Sequence, residues 1–87
     1  MGNDIKKMVL HRTSDIYFSA YLMCMGMSLI DLEEGKNDRG QPKKIFVFQV
    51  PQREVRRLKA LYHGGTGTVK CRKFVDDLKN LKSMLYT

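Results

Sequence analysis

The stretch Lys44-Ile45-Phe46-Val47-Phe48-Gln49-Val50-Pro51 constrains the chain most. Five of the six residues from Ile45 to Val50 are β-branched or aromatic, the types that suit a pleated, packed surface, so the stretch reads as a strand. Alternation puts Ile45, Val47 and Gln49 on one side and Phe46, Phe48 and Val50 on the other. Neither side is made for water, and both are expected to be covered. Pro51 closes the strand because it has no N–H for a ladder, and its fixed φ suits the first turn of a helix. The strand therefore hands directly to a helix.

Upstream, Met27 to Leu32 reads as a second strand. The polar run Glu33 to Pro42, with two Gly and one Pro, reads as an exposed loop that closes a hairpin. Met8-Val9-Leu10-His11-Arg12 alternates enough for a short first strand, and Met1 to Asp4 reads as a frayed start. Thr13 or Ser14 suits an N-cap, with Asp15 in the first turn at the positive end of the helix dipole. The helix that follows is expected to reach about Met25, with Gly26 as its C′ residue. From Ile16 to Met25 its only clearly polar member is Ser19. A helix that is apolar all round must be surrounded. In 87 residues it either crosses the middle of the domain or lends one side to a second subunit, which makes a homodimer one expectation. Met23, Met25 and Met27 fit plain core, and they also fit an adaptable binding surface.

Downstream of Pro51 a helix is expected to run to His63, where Gly64-Gly65 stops it. At 100° per residue Val55, Leu58, Leu61 and Tyr62 share one face, with Arg53, Arg56, Arg57, Ala60 and His63 opposite. Gly64-Gly65-Thr66-Gly67-Thr68 has the glycines of a phosphate loop. It lacks the Lys-Ser/Thr pair and follows a helix where a phosphate loop follows a strand, so a flexible connector is the reading. A third helix begins between Val69 and Arg72 and runs to the end, its core stripe formed by Cys71, Phe74, Leu78, Leu81 and Leu85. These elements make a small single α+β domain over residues 1–87, a β-hairpin packed with three helices, in the order strand, helix, strand, strand, helix, helix.

The charge is one-sided. Of a net +7, the segment Lys43–Lys73 supplies nine basic residues against the single acid Glu54. Such a segment is the electrostatic footprint of a polyanion binder, and it is also a common route to solubility. No apolar run reaches the roughly 18 residues needed to span a membrane. The two cysteines, Cys24 and Cys71, sit in apolar helical patterns with no signal-peptide pattern before them. Buried free thiols in a reducing cytoplasm are expected. His11 and His63 lie in no recognisable catalytic or metal-ligand spacing. Glu33-Glu34 reads as solvated. The expectation is a non-enzymatic binder with no metal, no cofactor and no membrane association.

Two resemblances add to this reading. Thr13-Ser14-Asp15-Ile16-Tyr17, then Phe46-Val47-Phe48, then the Leu78–Tyr86 segment LKNLKSMLY resemble a family of small phage and prophage-associated domains of unknown function. That resemblance implies a bacterial or phage origin and assigns no activity. Over residues 44–81 the strand, helix, Gly turn and helix are similar to the ribbon-helix-helix DNA-binding unit. There, polar strand residues of two paired chains enter the major groove. Here Ile45, Val47 and Gln49 or Phe46 and Phe48 would fill those positions.

The expected function is sequence-tolerant nucleic-acid binding, with Arg53, Arg56, Arg57, Lys70, Arg72 and Lys73 contacting phosphate. The rival is a protein-interaction module, an inhibitor or adaptor, that uses the Met-rich first helix.

Overall fold

The computed structural model of the chain describes residues 7–85. The expected frayed start at Met1–Asp4 and the last two residues of the chain lie outside them. The elements are β1 (Met8–Thr13), α1 (Ile16–Cys24), β2 (Ser28–Lys36), β3 (Pro42–Pro51), α2 (Gln52–His63) and α3 (Cys71–Leu85). This is the α+β order expected.

β3 is the middle strand of an antiparallel sheet ordered β1-β3-β2. With an occupied ladder on each edge, β3 has no edge for a second chain, and the paired ribbon of a ribbon-helix-helix unit cannot form on it. β2 is longer than expected. Glu33 and Glu34 belong to the strand because each finds a cation across the sheet. Glu34 meets its register partner Lys44 at 2.9 Å, and Glu33 meets Arg12 at 3.0 Å. The loop shrinks to a turn in which Asn37 Oδ1 accepts the N–H groups of Arg39 and Gln41, both at 2.9 Å. Such Asx geometry is what makes Asn a turn residue.

A bulge between Leu29 and Asp31 sets the phase of β2. Three residues apart, Leu29 and Leu32 would point to opposite faces of a regular strand. The extra residue Ile30 brings both against the core, Leu29 opposite Phe48 and Leu32 opposite Phe46, as bulges re-aim side chains elsewhere.

The helices lie on one face of the sheet only. Phe46, Phe48 and Val50 point into the core with Phe18, Leu22, Leu58 and Leu81. The other face carries Met8, Leu10, Ile30, Ile45, Val47 and Gln49 with no helix over it, and Met8, Leu10 and Ile30 are 43%, 50% and 49% exposed. The expectation that both faces of β3 are covered by other elements is therefore corrected. Val47 is nonetheless only 1% exposed. Arg12 on β1 and Glu33 on β2 flank β3, so their ion pair bridges the central strand between Ile45 and Val47. The aliphatic stem of an arginine covers apolar surface well.

α1 crosses the middle of the molecule. Its five residues Phe18–Leu22 are buried between the sheet, α2 and α3, and α3 packs chiefly along α1. Its N-cap is Asp15, whose Oδ1 accepts from Tyr17 N at 2.9 Å and Phe18 N at 3.2 Å. Thr13 is held in the β1–β3 ladder, and its hydroxyl accepts from Asp15 N at 3.1 Å, so the cap falls one or two residues later than expected. Gly26, at φ +87°, closes the C-terminus as anticipated. Cys71 does not join the core stripe. It is the first residue of α3 and exposed, while Cys24 is partly buried.

Candidate nucleic-acid interface

α2 begins where β3 ends, because Pro51 has the extended backbone of a cap residue (φ −58°, ψ 131°) and donates no N–H. Gln52 N–H is tied back to Lys7 O at 2.9 Å. Glu54 in the first turn complements the positive helix end.

The rotation of α2 about its own axis is fixed by its apolar face. Leu58 is buried, and Val55, Leu61 and Tyr62 pack against the core. The Tyr62 ring packs on Phe18 at a tilt of 54° with centroids 5.0 Å apart, and its hydroxyl reaches Asp15 Oδ2 at 3.5 Å. Burial and the Asp15 carboxylate push the Tyr62 hydroxyl up from its ordinary range, so it stays a donor. The opposite face is then forced outward. Arg53, Arg56, Arg57, Lys59, Ala60 and His63 are all exposed.

The cations on this face are not equivalent. Arg57 Nε donates to Glu54 Oε1 at 2.7 Å, which offsets much of its charge. Arg53, Arg56 and Lys59 pair with no acid among the described residues. Arg56, Lys59 and His63 line a shallow open trough of about 560 Å³ together with Gln52, Val55 and Ala60. Spacing of three and four residues puts Arg56, Lys59 and His63 in one row along the helix.

The three expected contacts on α3 are placed differently. Lys70 precedes the helix and is exposed, and its carbonyl accepts Phe74 N at 3.0 Å. Arg72 lies 3.5 Å from Asp76. Lys73 Nζ donates to Asp77 Oδ2 at 2.7 Å. Asp77 is 7% exposed and also accepts from the Cys24 thiol at 3.5 Å. Removing Lys73, whose side chain is half exposed, would leave the largely buried Asp77 carboxylate without its cation. The same contact raises the Lys73 ammonium above its usual range. Burial, then Asp77, raises the Cys24 thiol, which favours the protonated form over the nucleophilic thiolate.

The structure thus brings Arg53 and Arg56 together, adds Lys59 and His63, and leaves Lys70, Arg72 and Lys73 away from them, just before and in the first turn of α3. Lys59 was missed as a site residue although its spacing from Arg56 and His63 is readable in the sequence. The neutralisation of Lys73 was legible only in part. The i,i+4 spacing to Asp77 is visible, but the burial of Asp77 against α1 is not. On the Met-rich helix and just after it, Met23, Met25 and Met27 are partly buried against the core, while Tyr17 is 50% exposed. Gly67, in the glycine segment, sits where a Cβ would lie 2.8 Å from the Tyr21 hydroxyl, so close packing accounts for this glycine.

Among the described residues no three His, Cys, Asp or Glu side chains gather into a group that could hold a metal ion. No described helix is long and apolar enough to cross a membrane. Residues 8–87 match the family described as "Domain of unknown function (DUF5659)". No curated protein and no solved structure matches the chain.

Proposed function

We propose that this chain, which belongs to the DUF5659 family, is a non-enzymatic accessory protein that binds the phosphate backbone of nucleic acid through the outer face of α2. The observation that carries the reading is the row Arg53, Arg56 and Lys59, exposed and unpaired with acids among the described residues, on a helix whose orientation the core fixes. Three cations rooted on one rigid helix present their charge along one line, and each releases counterions on meeting a phosphate. His63 extends the row and can donate a hydrogen bond. Phosphate contacts position a protein without reading bases, so the binding is sequence-tolerant. Arg57, Lys70 and Arg72 add long-range attraction, screened beyond about 8 to 10 Å at ordinary salt. A phage or mobile-element setting belongs to the same proposal. It is supported by the sequence resemblance of Thr13–Tyr17, Phe46–Phe48 and Leu78–Tyr86.

The test is binding to single- and double-stranded oligonucleotides across a salt series. Affinity should fall with a log-log slope of about −0.7 to −0.9 per phosphate neutralised. Replacing Arg53, Arg56 and Lys59 together by Gln should flatten the slope by about two to three units, while Lys70→Gln with Arg72→Gln changes it by less than one. Dissociation constants weaker than about 1 mM for every form at about 50 mM salt, where a phosphate binder of this kind should be far tighter, would remove the reading.

A further inference from the structure

We infer that the helix-free face of the sheet is a contact surface for a second copy of this chain, packed face to face about a twofold axis that runs along β3. The face is apolar at Met8, Leu10, Ile30 and Ile45, three of them close to half exposed. It is the opposite side of the molecule from the core on which α2 rests.

The argument for a second copy is self-complementarity. A twofold axis lying in the interface along the central strand keeps every residue at its own level and exchanges the two edges. β1 of one copy then lies over β2 of the other. Arg12 and Asp31 are the two register partners of Val47, one on each edge, and so stand at the same level. The axis lays Arg12 of each copy, tied to its own Glu33 at 3.0 Å, over Asp31 of the other, whereas an axis across the strands would lay β1 over β1 and β2 over β2. Leu10 is level with Ser28, since both pair with Gln49. It therefore falls beside the bulged Ile30 of the second copy. Apolar meets apolar and cation meets anion, except at Lys43 near the open end of β3, which the axis sets over its own copy; the centre of the face has the self-complementarity an isologous contact requires. Two such faces pack as aligned sheets, about 10 Å apart.

Nucleic acid is a poor occupant of this face. It carries both signs of charge, at Arg12 and Lys43 and at Asp31 and Glu33, and among the described residues it presents no aromatic ring on which a base could stack. The area fixes the strength. Strands of 6, 9 and 10 residues at about 3.3 Å per residue and 4.8 Å between strands cover roughly 400 Å² in projection. Because β1 of one copy overlaps β2 of the other only at the levels of Phe46–Gln49, the facing part is smaller, roughly 600 Å² for the two copies together in projection, so the contact is a weak one with dissociation in the upper micromolar range.

Sedimentation velocity between about 5 and 500 μM tests the inference. The wild-type chain should move from monomer to dimer across that range. Ile30→Glu and Asp31→Lys, both at exposed positions, should each raise the dissociation constant at least tenfold with unchanged far-ultraviolet circular dichroism. Arg12→Glu combined with Asp31→Lys restores opposite charges across the axis and should recover association. Arg56→Glu on α2 should leave it unchanged. A wild-type monomer at 500 μM overturns the inference. So does a dimer that is indifferent to Ile30→Glu and Asp31→Lys, because it would use another surface. None of these outcomes depends on nucleic-acid binding.

Discussion

Val47 and Val50 permit the two sides of β3 to be compared with one substitution. Both are 1% exposed, both lie on the central strand, and they point to opposite faces. Val50 lines a narrow seam with His11, Phe18, Leu22, Val55, Leu58 and Lys59 that has no room for a water molecule. Val50→Ala removes the equivalent of two methylenes, about 1.6 kcal/mol of transfer free energy. It also leaves a cavity of about 50 Å³ that the sheet and α2 cannot close, worth roughly 1.2 kcal/mol more. Val47→Ala removes the same atoms, but its cover is the Arg12–Glu33 bridge, which is flexible and open to solvent. Its side chains can settle into the space, so the loss should stay at or below about 1.6 kcal/mol. Total stability for a chain of this length is about 4 to 13 kcal/mol, so both variants should fold. With an m-value of about 1 kcal/mol/M in urea, the Val50→Ala midpoint should lie about 1 M below that of Val47→Ala. The measurement belongs at low micromolar protein, where the outer face is uncovered. Equal midpoints would refute the one-sided packing described here.

Two further outcomes follow from the polar groups. The His11 imidazole is held below its usual range by burial and then by Lys59, so folding favours its neutral form. Its contribution to stability is complete above the unfolded value of about 6.5 and is lost as pH falls below that toward the folded value. His11→Gln should remove this part of the acid dependence, and urea midpoints at about pH 7.5 and 5 check it; an unchanged difference between the two pH values contradicts the assignment. Iodoacetamide should label the exposed Cys71 well before Cys24, whose thiol donates to Asp77 and is pushed up by burial; equal rates by mass spectrometry would count against that contact.

Local chemistry determined much of this protein from its sequence. The density of β-branched and aromatic residues from Ile45 to Val50 specified the central strand, Pro51 its hand-off to a helix, and the 100° periodicity of α2 its basic outer face. Those signals lie within a few residues of one another, where steric and hydrogen-bonding preferences act directly. The tertiary structure decided what depends on distant neighbours. Glu33 and Glu34 became strand because Arg12 and Lys44 stand across the sheet from them. Asp77 became a buried carboxylate because α1 lies against it, and Lys73 became its ion-pair partner. The alternation of β3 could say that Val47 is apolar. It could not say that no helix would cover it, because which face receives α1 and α2 is set by the packing of all three helices at once.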